Sequence, residues 1–386
     1  ANDMFMKLDY LRSVDGKIIF GTGTPITNTV SEIYNMIRMV RPDILENAGI
    51  HSLDEWVNTF AKVDSNFEMD IDGTIKTKPT KSIRSFINSK EMVAMFRQFA
   101  DIVFTQDVVK DLPKAIHHNI EIEGKKEHKL IKEAVNAVLS SAKGTEKLGA
   151  YGTVSGMLNA AAVDLRMLSG VEKDGNPLQD YSQEELDYAD SKVNTMVGYI
   201  IKHYKESQKI KGTQIVFCDG GAGSGKTYTF NVHKDIKQKL IEQGIPESEI
   251  VIVKDQKDAK LEELFEQVNN GTVRVLIGTS AKMAEGLNVQ ERVVAIHHPT
   301  VSYKPSDLEQ SDARGVRKGN INSEVYIYRY LQGDTFDSHK WQAIDRKGEM
   351  INNALKGEDV GELEDSGADE DGGADIDAAT AMAITS

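Results

Sequence analysis

A single cysteine in 386 residues rules out an internal disulfide, so nothing in the chain calls for an oxidising compartment. That residue, Cys218, lies in the apolar run TQIVFCD, where a buried, inert thiol is expected. Long apolar runs are missing too. None approaches the roughly 20 residues of a membrane helix, and the first residues, ANDMFMKLDYL, lack a basic stretch followed by an apolar one. A cytoplasmic protein is therefore expected. A surplus of Lys and Arg is also lacking, since the formal net charge is −14, which argues against broad binding to phosphate backbones. The distribution of charge weakens that argument: residues 358 to 377 hold ten Asp and Glu with no Lys or Arg, leaving −4 for the rest and room for local basic sites.

What is present is ordinary for a globular protein, with 40% hydrophobic and 27% charged residues and length for two or three domains. The start at Ala1, close to a strand with no domain before it, reads as a cut end. GKIIFGTGTP predicts a short buried strand over Lys17 to Phe20 running into a Gly/Thr/Pro turn. A helix follows, with Thr29 and Glu32 at capping-box spacing and Val30, Ile33, Ile37 and Val40 at helical intervals until Pro42. From about 46 to 190 the pattern is mainly helical. Ser52 with Glu55 and Ser182 with Glu185 have capping-box spacing, Met92, Phe96, Phe99 and Val103 share a face, and DIDGTIKTKP (70 to 79) is an exposed loop or small hairpin. After a helix around Val193, Val197, Ile200 and Ile201, the runs TQIVFCD, EIVIVKD, VRVLIGT, RVVAIHH and EVYIYRY alternate with helical stretches. Val- and Ile-rich strands separated by helices predict a doubly wound α/β domain with a parallel sheet, whose ligands bind at the carboxyl ends of the strands. The loops after Asp219, Thr279 and His298 are then the working edge. Gly357 to Asp377 is too acidic and Gly-rich to fold alone.

Chemistry concentrates between Gly278 and Gly319, where GTSAKMAEGLNVQ is followed by a strand and SDLEQSDARGVRKG. Gln310, Arg314 and Arg317 are spaced i, i+4, i+7, which puts them on one face of a helix, and forked, permanently charged arginines suit the charge that develops on phosphoryl oxygens. Alone, such arginines read as surface helix residues; the Thr279–Ser280 loop one strand earlier favours a shared phosphate. GGAGSGKT (220 to 227) matches G-x-x-x-x-G-K-T after a strand, so Gly220, Gly225, Lys226 and Thr227 form a candidate P-loop, with a plain Gly-rich loop as the competing reading. The pairs His117–His118 and His297–His298 lack metal-site spacing and read as packing. Asp164 and Arg166 read as a structural ion pair or as contacts to the neighbouring lobes.

FGTGTPITNTVSEIY resembles the third motif of Swi/Snf-type DNA translocases of helicase superfamily 2. IGTSAKMAEGLNVQ and LEQSDARGVRKG resemble their fifth and sixth motifs, and VYIYRYLQGDTFDSHKWQ the segment closing their second lobe. The DMFMK start, FCD, FNVHKDI, NVQERVVAIHH and PSDLEQ are similar to the helicase portion of large phage and plasmid methyltransferase-helicase proteins of the antirestriction type. Ser311 stands where that family often has Arg, and Ala313 where it often has Gly. The resemblance implies a RecA-like second lobe over 191–352, a remnant of the first lobe over 1–45, a helical connector over 46–190 and an acidic linker over 353–386. It implies ATP and Mg²⁺ as cofactors and DNA as partner, with an associated methyltransferase domain and a bacterial or virion setting. Gln310, Arg314 and Arg317 would be catalytic. Gly23, Thr24, Gly286, Asn288 and Asp312 would line the nucleotide, Thr22 would join Gly23 and Thr24 in coupling phosphate state to lobe closure, and Thr27, Asn28, Thr279, Ser280 and Lys282 would touch the DNA backbone. No P-loop or acidic second motif precedes Gly21, so ATP hydrolysis would need a first lobe from elsewhere. A stand-alone P-loop NTPase and a non-catalytic DNA- or protein-binding product remain the alternatives.

Overall fold

The computed structural model describes residues 2–27, 30–66, 80–104, 108–141, 146–172, 175–221, 230–253, 261–283, 288–302, 304–335 and 337–356. The chain opens with helices α1 (Asn2–Ser13), α2 (Glu32–Val40), α3 (Pro42–Asn47) and α4 (Leu53–Phe60). Pro42 ends the pattern of α2 as expected, because it opens α3 as a first-turn proline. An antiparallel pair, β1 (Ala61–Asn66) and β2 (Thr80–Phe86), then leads to α5 (Ser89–Phe96). The expected loop at 70–79, between the two strands, lies outside the described residues. Ile33, Ile37, Trp56, Phe86 and Met92 are buried together as one core. The Met92 and Phe96 stripe forms as expected, but Val103, beyond the end of α5, is exposed.

The strand expected over Lys17 to Phe20 does not form. The backbone there pairs with no other strand, Ile19 is 89% exposed and Phe20 is 50% exposed. A buried strand needs neighbours on both edges, and among the described residues no strand lies beside this one. The capping box at the start of α2 also takes another form. Thr29 lies outside the described residues, and the Glu32 carboxylate accepts from the backbone N–H of Thr27 at 2.8 Å and from its hydroxyl at 3.0 Å.

The rest is an α/β layer structure. Strand β3 (Lys114–Ile122) precedes helices α6 (Lys126–Ser141), α7 (Glu146–Val163), α8 (Gln183–Leu186) and α9 (Lys192–Glu206). Then come β4 (Thr213–Phe217), α10 (Val232–Glu242), β5 (Ile250–Ile252), α11 (Leu261–Asn269), β6 (Val275–Gly278), α12 (Ser280–Met283), β7 (Val293–His298), α13 (Pro305–Asp312), β8 (Glu324–Gln332) and α14 (Asp337–Lys356). Six strands form one sheet in the order β3-β8-β7-β4-β6-β5, with every neighbouring pair parallel. This is the doubly wound α/β fold with a parallel sheet that the alternating runs predict. Side chains on successive strand residues point to opposite faces. Val216 and Cys218 therefore join the core under α6, α7, α9 and α10, while Ile215 and Phe217 join the one under α11.

Strand β3 falls inside the span that the sequence pattern makes mainly helical. Its nine residues pair in register with β8, from Lys114 with Glu324 to Ile122 with Gln332, and form an edge of the sheet. Only Ile122 of this strand is fully buried, so it carries none of the continuous apolar signal of a central strand. The Ser182–Glu185 capping box forms in full. At Ser52 only half forms, since Glu55 accepts instead from the backbone N–H of His51. Helix α14 reaches back, its Met350 and Ile351 closing the core of the N-terminal helices and its Trp341 and Ile344 packing on Leu308 of α13.

Candidate functional site

Strands β7, β4 and β6 lie side by side and release their carboxyl ends at one edge. Asp219, just past β4, ties the three ends together. Its backbone N–H donates to the Thr300 hydroxyl at 2.9 Å, and its carboxylate accepts from the Ser280 N–H at 2.8 Å and the Ser280 hydroxyl at 2.7 Å. The first turn of α12 is thus capped by a carboxylate from the neighbouring strand. Thr279 accepts at its carbonyl from the backbone N–H groups of Lys282 and Met283, and Lys282 is exposed. The backbone turns sharply after Asp219, where Gly220 takes φ +79°. Gly221 passes so close to Val232 that an added Cβ would lie 2.9 Å from the Val232 Cβ. Gly225, Lys226 and Thr227 of the candidate P-loop lie outside the described residues, as do Gly286 and Asn28.

The paired histidines at the end of β7 face opposite ways. His297 is enclosed in the core, within hydrogen-bond distance of the Tyr330 hydroxyl at 2.9 Å and of Gln214 Oε1 at 3.1 Å, which is the packing role expected. His298 faces the other side. Its ring stacks on Phe217 at 5.5 Å between centroids, meets Trp341 edge-on at 6.5 Å, and places Nε2 2.8 Å from an oxygen of Asp312.

Helix α13 opens on Pro305 and stops at Asp312, with Ala313 as its cap. Gln310, Arg314 and Arg317 therefore do not lie on one continuous helical face. Gln310 is in the last turn, and the arginines are in the irregular turn beyond. Just beyond the helix end Gly315 is pressed onto the sheet: a Cβ there would lie 2.7 Å from Val293 Cγ1 and 3.1 Å from Ile296 Cδ1. Arg314 is half-buried and Arg317 exposed. Burial first, and the adjacent Arg317 charge second, lower the Arg314 pKa, an environment that a nearby anion would favour.

Gln310 donates from Nε2 to the Thr24 hydroxyl at 3.3 Å, joining positions 286 residues apart. The loop holding Thr22, Gly23 and Thr24 is thereby brought to the end of α13. Thr22 and Gly23 are exposed, and nothing within 4 Å of Gly23 would meet a Cβ. Two hydroxyls expected to face a nucleic-acid backbone are turned to carboxylates, Thr27 to Glu32 and Ser280 to Asp219. Asn288 is exposed, and its carbonyl accepts from Asn269 at 2.6 Å. Asp312 is held by His298. Among the described residues no group of three or more His, Cys, Asp or Glu side chains comes together as a cation site. The Asp164–Arg166 ion pair is present and larger than expected. Arg166, 3% exposed, bonds Asp164 and Asp235 at 2.7 Å each and lies 3.1 Å from Asp187. Two further pairs, His298 with Asp312 and buried Lys192 with Asp337, leave no signal in the sequence, because no local pattern links their partners.

Residues 4–104 match a family model described as a probable helicase domain. The chain is also similar to the "Defense against restriction protein B" of Escherichia phage P1, 27% identical over 104 residues, which is 27% of this chain and 4% of that protein. Among solved structures it is similar to the C-terminal part of the Fun30 ATPase domain, at 13% identity and TM-score 0.40, covering 64% of this chain and all of that one. The likeness to a helicase domain is thus confined to the first quarter of the chain, and the α/β architecture rests on the sheet itself. No helix among the described residues is long and apolar enough to cross a membrane.

Proposed function

We infer that this chain supplies one wall of the nucleotide site of an ATP-dependent DNA translocase of the Swi/Snf-like helicase type, allied to the helicase portion of antirestriction proteins. The observation that carries this reading is the Thr24–Gln310 hydrogen bond. It joins the Gly/Thr loop of the helicase-matching segment to the helix end that bears Arg314 and Arg317. In this reading residues 1–45 are the tail of a first lobe, 46–190 a connector, 191–352 the second lobe and 353–386 a linker. The exposed backbone at Ile19 and Phe20 supports a first-lobe sheet built from other residues.

The residues fit a polyphosphate. Two arginines, one of them half-buried, lie close enough for the charge of one to act on the other, and Gly23 leaves open backbone nearby. When bound with Mg²⁺, ATP would supply a phosphoryl group for transfer to water, and this chain's residues would hold and neutralise its phosphates. Arg314 and Arg317 would donate to its oxygens, Gln310 and Thr24 would register its presence between the two loops, and Asn288 would line the rim. Asp312 acts from behind, as the anchor of the arginine turn. Thr279 and Lys282 would meet the DNA backbone, with Ser280 fixing the loop through Asp219; such contacts carry no sequence information. A cytoplasmic or virion setting and an associated methyltransferase domain belong to the same reading. Gly225, Lys226 and Thr227, on which the P-loop alternative turns, lie outside the described residues.

The test is Arg317→Ala in the full-length protein. DNA-stimulated ATP hydrolysis should fall about a thousandfold or more, the scale of an arginine finger, while DNA affinity stays unchanged. Unaltered turnover removes the reading.

A further inference from the structure

Asp312 is the hub of the turn that displays the two arginines. Its carbonyl accepts from the backbone N–H groups of Gly315 at 3.1 Å and Val316 at 3.0 Å, and its carboxylate is gripped by His298 at 2.8 Å. His298 cannot shift to follow it. The imidazole is 3% exposed, stacked on Phe217 on the core side and met edge-on by Trp341 of α14. On its other flank the turn is pinned by Gly315, which sits flush against Val293, Ile296 and Val325. Arg314 lies between the two pins, so its backbone is held by them and not by a regular helix.

We propose that His298 is the positioning residue of the phosphate-contacting turn: through Asp312 it aims Arg314 at the site, and through Trp341 it makes that aim depend on the docking of α14. The proposal rests on the phosphate-contacting role inferred for Arg314 and Arg317. It assigns work to a buried histidine that lies behind the turn and bonds to it through Asp312. A rigid ring between two aromatic groups suits the task, because a misplacement of about 1 Å can cost on the order of a hundredfold in rate without touching affinity.

The experiment measures steady-state DNA-stimulated ATPase of the full-length protein in His298→Phe, His298→Gln, Asp312→Ala, the His298→Phe/Asp312→Ala double variant and Arg314→Ala. His298→Phe keeps the stack and loses the donor, whereas His298→Gln places a donor near the original Nε2. The expected result is a kcat lower by about tenfold to a hundredfold in His298→Phe and Asp312→Ala, with KM for ATP within about twofold. The double variant should be no worse than the poorer single one, as for residues acting in one chain. His298→Gln should recover most of the loss. Normal kcat in both single variants, or a loss confined to KM, overturns the positioning role while Arg314→Ala remains inactive. Unchanged turnover in Arg314→Ala sinks the phosphate reading itself, and the positioning role with it. Should His298→Phe fail to fold, Asp312→Ala carries the same test, because Asp312 is partly exposed.

Discussion

His128, 3% exposed near the start of α6, accepts at Nδ1 from the backbone N–H of Lys125 at 2.9 Å, so the neutral ring carries its hydrogen on Nε2. Burial is the main cause that pushes its pKa down to about 4. The charge of Lys192 acts in the same sense, and the Ala161 carbonyl, Asp334 and Glu127 oppose it. The unfolded chain takes up this proton as pH falls through 6.5, whereas the folded protein resists until about 4. The contribution of His128 to stability is therefore full above pH 6.5, is lost progressively between 6.5 and 4, and levels off below. The loss approaches about 3 kcal/mol at roughly 1.4 kcal/mol per pH unit. Denaturant unfolding at both ends of that window should show His128→Gln losing less stability on acidification than the parent; an equal loss in both rules out His128 as the source. His297 lies well below its ordinary value for the same reason, so some acid sensitivity remains in the variant.

At the scale of elements, the arginine turn depends on a close approach. Gly315→Ala would drive a Cβ to 2.7 Å from Val293 Cγ1, and β7 and β8 cannot both retreat. Overpacking of this kind costs about 1–3 kcal/mol, and the displaced turn should also lower ATPase more than that loss of stability explains. A variant as stable and as active as the parent would show that the turn yields freely. Strands β4 to β8 are legible in the sequence because each is a dense apolar run between helices, and the capping serines Ser182 and Ser52 correctly mark helix starts. Two elements mislead for opposite reasons. Lys17 to Phe20 has a strand's composition without a neighbour to pair with. Lys114 to Ile122 has a neighbour but, as a half-exposed edge, lacks a central strand's composition. The arginines, Gln310 and the Gly/Thr loop can be picked out by residue type. Their convergence cannot, since no local pattern encodes a contact between positions 286 apart. Helical spacing also overruns the true end of α13, since the fit of Gly315 against three side chains of the sheet, just beyond that end, is a tertiary contact that spacing cannot show.

Across the whole molecule, charge is divided unevenly: ten of the acidic residues lie in 358–377, and the remainder of the chain carries −4. Such a segment repels a phosphate backbone and competes for basic loops. Deleting residues 357–386 should tighten DNA binding at about 0.05 M salt and change little at about 0.3 M, where screening shortens the reach of charge to several ångström. Fluorescence anisotropy with a duplex at both salt concentrations reads the difference, and an unchanged low-salt affinity refutes it. The pairing of β3 with β8 has a consequence in time. Gln332 donates to the Glu123 carbonyl across 209 positions, and every residue of β3 waits for a partner that the ribosome makes much later. Closing so long a loop is slow, and the waiting strand edge is open to other chains meanwhile. The order of synthesis thus makes this sheet a late event, completed when β8 emerges and α14 closes over the core of the N-terminal helices.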